Sequence, residues 1–201
     1  MNPSVHSEQY LAHPDPWGTT PAATVVAEVA SAMEAGLDVG TAVDLGCGDG
    51  RHSRWLAGLG WQVDAIDVDE EVIASARERD SDEGRTGHVD WIAGDAMSWS
   101  PSGPVELVVI GFVHLPLERL REVIARAAGW LAPGGHLLFV GHAAENLHRG
   151  VGGPKDSSTL PELGDLAAGA AGMRVLSLRH ELRPAGTATA VDAVLHATTW
   201  E

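Results

Sequence analysis

Cysteine is nearly missing from this chain: among 201 residues Cys47 stands alone, so no disulfide can form within it. That usage suits a reducing, cytoplasmic compartment. Positive charge is scarce as well. Lys and Arg total 13 against 28 Asp and Glu, a formal charge of −15. Binding along phosphates needs clustered Lys and Arg, so the sequence predicts no nucleic-acid partner and a solvated acidic surface. No apolar run approaches the ~20 residues of a spanning helix, which predicts no membrane insertion. The opening MNPSVHSEQYLAHPDP has neither a basic n-region nor an apolar h-region and does not read as a signal peptide. No repeat period or low-complexity block is present. What remains is an ordinary globular composition, 44% hydrophobic and 20% charged. A chain of that length buries roughly 70% of its unfolded surface without staples.

Along the chain, strands and helices alternate. Thr20-Pro21 reads as an N-cap and first-turn proline. Val25, Val26, Val29, Ala30 and Met33 follow at helical spacing, with Gly36 as the stop. Thr41–Leu45 is a short apolar strand, followed by a helix with Trp55, Leu56 and Leu59 inward. Trp61–Ile66 is the second strand and Asp69–Arg79 a helix burying Val72, Ile73 and Ala76. After the polar turn Asp80–Gly87 come strands at His88–Ala93 and Val105–Ile110. Pro116–Leu131 carries the clearest apolar stripe, and Pro133-Gly-Gly135 ends it before a strand at His136–Val140. A glycine-rich loop from Ala143 to Ser158 reads as a lid or as disorder. A helix near Leu160–Ala170 and two alternating segments, Met173–Leu182 and Thr187–Thr199, joined through Arg183–Gly186, close the chain as a hairpin. This order predicts one α/β domain: a mostly parallel sheet covered on both faces, with a C-terminal antiparallel hairpin. Its parts are an N-terminal cap segment and helix (1–35), a ligand-binding core (36–142), the loop (143–158), and the closing helix and hairpin (159–201).

In open parallel sheets a ligand sits at the carboxyl ends of the strands, where strand order reverses. Gly46-Cys-Gly48-Asp-Gly50 lies at such an end, where glycines allow positive φ and close approach to the backbone. The next helix's first N–H groups face the same place. The spacing differs from the dinucleotide fingerprint G-x-G-x-x-G: the third glycine comes one residue early. Asp44 precedes the loop inside an apolar strand, where a carboxylate is costly without a cation or donors. Asp67, roughly 20 residues beyond the loop, is placed to accept both hydroxyls of a ribose. It is alternatively a helix N-cap, for which Asp69 is also available.

On these residues the chain resembles the class I S-adenosylmethionine-dependent methyltransferases, whose first motif reads acidic-x-Gly-x-Gly-x-Gly, as Asp44 to Gly50 does here. The resemblance implies a three-layer αβα Rossmann-like fold on a seven-stranded sheet. It implies S-adenosylmethionine as cofactor, with S-adenosylhomocysteine as product. It places Asp44 near the methionine ammonium, the backbone of Gly46, Cys47, Gly48 and Gly50 along the cofactor, and Asp67 with Val68 at the ribose. Ala93-Gly-Asp95-Ala96-Met97 matches the family's adenine segment, and Gly111 ends the fourth strand beside the cofactor. Leu131-Ala-Pro-Gly-Gly135 is a further family turn. Near the N-terminus, Asp15-Pro-Trp17-Gly18 is similar to a segment of small methyltransferases of the tellurite-resistance and thiopurine group. The resemblance covers about Thr41 to Gly141.

The family's acceptor pocket opens after the fourth and fifth strands, which predicts Trp17, Phe112, His114 and His142 as its lining. No Asn-Pro-Pro-Tyr or Asp-Pro-Pro-Tyr signature occurs, which argues against amino-methylating nucleic-acid enzymes. His114 and His142 are the candidate catalytic groups, since an imidazole takes a proton near pH 6.5. Each is alternatively an orienting or capping side chain. With His148 they share no compact ligand spacing, so no metal is expected. The resulting expectation is methyl transfer to N, O or S of a small molecule. The alternatives are a cofactor-binding regulator of the same fold and an NAD-dependent oxidoreductase, the latter disfavoured by the early third glycine. Oligomeric state stays open between monomer and homodimer.

Overall fold

A computed structural model describes residues 18–81 and 84–200. Seven strands form one sheet: β1 (Thr41–Leu45), β2 (Gln62–Asp67), β3 (His88–Ala93), β4 (Val105–Gly111), β5 (Leu131–His142), β6 (Arg174–Ala185) and β7 (Ala188–Thr198). Their spatial order is β3-β2-β1-β4-β5-β7-β6. The first five are parallel, and β7 enters antiparallel between β5 and β6. Strand order reverses between β1 and β4, so their carboxyl ends open a crevice.

Alternation along the central strands feeds two cores. Leu107 and Val109 of β4 face one layer with Leu138 and Val140 of β5. That layer holds α1 (Ala23–Glu34), α2 (Arg51–Gly58) and α3 (Glu70–Glu78). Val108, Ile110, Leu137 and Phe139 face the other, covered by α4 (Leu117–Ala128) and α6 (Leu163–Gly169). A short α5 (Asn146–Arg149) lies in the loop after β5. This is the three-layer αβα architecture that the sequence predicts. Among the described residues, no helix is long and apolar enough to cross a membrane.

Several boundaries differ from the sequence expectation. Helix α1 begins at Ala23 rather than behind Thr20, and no side chain caps it. The Ala22 N–H instead donates to His52 Nε2 at 3.3 Å, which tethers the helix start to α2. Leu59, expected inside, is 43% exposed because α2 stops one residue earlier. β5 starts at Leu131, not His136. Val105 pairs Leu131 and Leu107 pairs His136, so Ala132–Gly135 bulges out of the ladder. The end of β7 secures that bulge: Thr199 donates to Gly135 O and, through its hydroxyl, to Ala132 O. The hairpin turn is the two-residue Gly186-Thr187, with Gly186 at φ 64°, rather than Arg183–Gly186.

Midway along β5 a buried polar chain joins the sheet to α1. His136 Nδ1 meets His196 Nε2 at 2.7 Å, and His196 Nδ1 meets Glu28 Oε2 at 2.8 Å. Arg179 then donates to Glu28 Oε1 at 2.7 Å. Burial pushes the His136 imidazole down to about 4, helped by neighbouring His196 and Arg174. The hydrogen bond from His196 holds the Glu28 carboxyl below its ordinary value against the effect of burial. Folded His136 therefore stays neutral where the unfolded chain takes a proton, so its contribution is complete above about 6.5 and lost toward 4. Glu28 acts in the same direction at lower pH. Thermal unfolding midpoints should fall across pH 6.5 to 4, and His136→Gln should flatten that slope.

Candidate cofactor and acceptor site

The loop after β1 is fastened to β2. The Ile66 carbonyl accepts both Gly46 N–H (2.8 Å) and Cys47 N–H (2.9 Å). Asp67 Oδ2 accepts Gly48 N–H at 3.0 Å, and its Oδ1 accepts Asp69 N–H at 3.1 Å. Burial raises the Asp67 carboxyl despite those two backbone donors. Asp69, not Asp67, caps α3, accepting from Glu71 and Val72 N–H. Gly46, Gly48 and Gly50 have φ of 74°, 55° and 82°, a region that side chains disfavour. A Cβ on Gly50 would also enter the Trp91 ring, and one on Gly46 would meet Val113. The Cys47 thiol is buried, and burial pushes its pKa well up, so it contributes backbone rather than chemistry.

Beneath the loop, Asp44 is 1% exposed. Its Oδ2 accepts the Ser53 hydroxyl at 2.5 Å, while Oδ1 is buried with no partner. Burial pushes the carboxyl up to about 6 despite the Ser53 bond. A buried carboxylate with an orphaned oxygen is a receptor for a cation. On the next two strands, Val68 is 73% exposed directly beyond Asp67, an apolar face available to a planar ring. Asp95 is exposed, and its Oδ1 accepts Met97 N–H at 2.8 Å, shaping the turn that holds Ala96. Gly111 has a packing reason for its identity: a Cβ there would come within 2.8 Å of His52 Cε1. His52 is itself neutral, pushed down to about 3 by burial.

Past the switch point lie the residues that the sequence reading expects at an acceptor. Phe112 has φ 57°, the only positive φ at a non-glycine among the described residues, a strained conformation for a bulky side chain. Arg51 and Arg183 guanidinium carbons each lie 5.3 Å from its ring centroid. His142 packs edge-on to Phe112 at 5.6 Å and lies nearly parallel to His114, with centroids 6.0 Å apart. The structure thus brings Phe112, His114 and His142 together. Trp17 lies outside the described residues. The loop after β5 is not featureless: Asn146 donates to the Val151 and Gly152 carbonyls and accepts Val191 N–H at 2.7 Å, pinning it to β7. His148 is exposed on α5. No group of three or more His, Cys, Asp or Glu among the described residues is arranged for a metal ion.

Sequence reasoning missed Ser53, Arg183 and Asp192. Asp192 is fully buried on β7, 3.3 Å from His142 Nδ1 and paired with Arg183. Its signal was present: an Asp interrupting the apolar run Ala190 to Leu195 must have a partner.

Comparison with known proteins agrees with this geometry. Residues 42–135 match the family described as a methyltransferase domain. The chain belongs to the class I S-adenosylmethionine-dependent methyltransferases. A trans-aconitate 2-methyltransferase from Streptomyces avermitilis is 33% identical over 143 residues, 68% of this chain and 50% of that protein. A ribosomal RNA small subunit methyltransferase C from Alcanivorax borkumensis is 36% identical over 106 residues, 50% of this chain and 32% of that protein. The chain thus spans half or less of these relatives' length. The fold is shared with N-methyltransferase NodS from Bradyrhizobium japonicum WM9 in complex with S-adenosyl-L-homocysteine (TM-score 0.71, 19% identity, 96% of each chain). It is shared too with TehB from Haemophilus influenzae (TM-score 0.67, 20% identity, 87% of this chain and 62% of that one). The cofactor of this class fits the site, because its cationic ammonium would complete the orphaned Asp44 oxygen.

Gly50→Ala should destabilise the protein by about 3 kcal/mol, from its left-handed φ and the Trp91 clash together. Gly58→Ala, at the far end of the helix that Gly50 precedes and with nothing within 4 Å of its Cβ, should be neutral or stabilising. Urea midpoints distinguish the two.

Proposed function

We propose that this protein transfers the methyl group of S-adenosylmethionine to N, O or S of a small-molecule acceptor by in-line displacement. The single observation that carries the reading is the convergence of Asp44, Asp67 and the Gly46–Gly50 loop at the β1/β4 reversal. The bound cofactor supplies an activated methyl on a sulfonium. The chain's own part is positioning: Asp44 meets the ammonium, loop backbone lines the chain of the amino acid, and Asp67 accepts the ribose hydroxyls. Val68, Asp95 and Ala96 hold the adenine. Gly111 keeps the floor between the two halves open. Phe112, His114 and His142 line the acceptor pocket and exclude water there. His114 and His142 are the groups placed to take a proton when the acceptor has one to lose.

The charge of −15 supports a metabolite over a nucleic acid, since phosphate chains would be repelled. The lone, buried Cys47 supports a cytoplasmic setting.

Calorimetry with S-adenosylhomocysteine tests the reading. The intact protein should bind it, and Asp67→Ala should weaken binding by about 10-fold or more, the value of a charge-assisted hydrogen bond pair. No binding to the intact protein would refute the proposal. Affinity should also depend on pH. The free carboxyl of Asp44 takes a proton below about 6, and an ammonium favours the charged form. Binding must therefore expel that proton at low pH, so affinity should fall as pH drops through 6. Asp44→Asn should remove the dependence.

A further inference from the structure

Asp192 is the one acidic residue of β7, and none of its surface is exposed. The β5–β7 register sets it directly opposite His142, so both side chains stand on one sheet face. His142 Nδ1 is 3.3 Å from Asp192 Oδ1, an ion-pair separation not yet aligned as a hydrogen bond. Such contacts at reactive sites commonly tighten when ligands bind. Arg183, from β6, grips the same carboxylate: Nε donates to Oδ2 at 2.6 Å and a terminal nitrogen to Oδ1 at 3.2 Å. Burial alone would raise the Asp192 carboxyl, but the neighbouring His142 and the bonds from Arg183 hold it below its usual range. It is an acceptor only, so the imidazole nitrogen facing it carries the proton and Nε2 carries the lone pair.

The rest of the surroundings fix the ring. His114 stacks on it and Phe112 meets its edge, while a Cβ on Gly153 would come within 2.6 Å of His142 Cδ2. The charged or titratable groups around His142 are therefore His114 after β4, Asp192 on β7, Arg183 on β6 through Asp192, and Arg51 on α2 across Phe112. One bidentate arginine already neutralises Asp192. Adding an imidazole oriented at the mouth of the acceptor pocket serves something besides charge balance.

We propose that Asp192, clamped by Arg183, positions His142 with Nε2 toward the acceptor, so that this protein methylates a hydroxyl that must lose its proton. The proposal rests on the methyltransferase reading above. The hydroxyl proton moves to His142 Nε2. An oxygen lone pair forms the new bond to the methyl carbon while the carbon–sulfur bond breaks and its electron pair stays on sulfur. The resulting imidazolium is paired with Asp192, which acts through His142 and does not touch substrate.

Nuclear magnetic resonance of the full chain, with the imidazole assigned by His142→Gln, should place the His142 proton on Nδ1. In Asp192→Asn its titration midpoint should drop by about one pH unit, as expected on losing a neighbouring opposite charge. With catechol as probe, single-turnover methyl transfer should rise with pH through the His142 midpoint. It should fall about 100-fold in His142→Gln, the scale of general-base assistance. The inflection should move with the midpoint in Asp192→Asn and be partly restored in Asp192→Glu. An unchanged His142 titration in Asp192→Asn overturns the proposal. So does methyl transfer to benzylamine but not catechol, or a rate indifferent to His142→Gln. Should Asp192→Asn fail to fold, the pH profile of His142→Gln decides. Calorimetry of the intact protein with S-adenosylhomocysteine reports separately on the cofactor reading.

Discussion

One carbonyl organises the crevice. Ile66 O, at the end of β2, accepts two successive N–H groups from the loop leaving β1, using both of its lone pairs. That pair of hydrogen bonds draws the loop across the neighbouring strand and brings Gly48 N–H onto Asp67. It also fixes the direction in which α2 departs, and with it the Ser53 hydroxyl over Asp44. The three positive φ values follow from this tight path, since the chain must turn back within five residues.

The two halves of the crevice are built from different materials. On the cofactor side, backbone groups and carboxylates do the shaping, and the loop spends most of its own hydrogen bonds on β2. Beyond β4, on the side proposed for the acceptor, side chains do it: aromatic rings, two histidines, and arginines over Phe112. A backbone surface is insensitive to side-chain exchange outside its glycines, which suits a cofactor common to many enzymes. A side-chain surface changes with every substitution, which suits an acceptor that differs among them. The strained Phe112 marks the seam, its N–H bonded to Val140 O while its ring turns toward the guanidinium groups.

The sequence made the cofactor half legible because its grammar is local. Asp44 to Gly50 is a contiguous motif, and Asp67 ends, and Asp95 closely follows, a strand whose apolar run is easily seen. The sheet, its parallel majority and the closing hairpin followed from alternation of periods. What escaped depended on register between distant strands. Asp192 meets His142 only because β7 inserts beside β5 and pairs 142 with 192, which no local window contains. Likewise α1 starts at Ala23 rather than behind Thr20, where His52, thirty positions from Ala22, receives the Ala22 N–H. The bulge at Ala132–Gly135 hid in a turn motif that ordinarily ends a helix, and only Thr198 and Thr199 from the far end of the chain draw it into the sheet.

Strand β7 has a further consequence. Asp192 and His196 lie four residues apart on it and so point to the same face, about 13 Å from one another. Asp192 joins His142, and His196 joins Glu28 of the first helix. A slip of one residue would turn both away together and present Ala193 and Ala197 in their places. The hairpin therefore works as a gauge: its correct seating is read simultaneously at both ends of the molecule, and neither end can assemble while the other is misaligned.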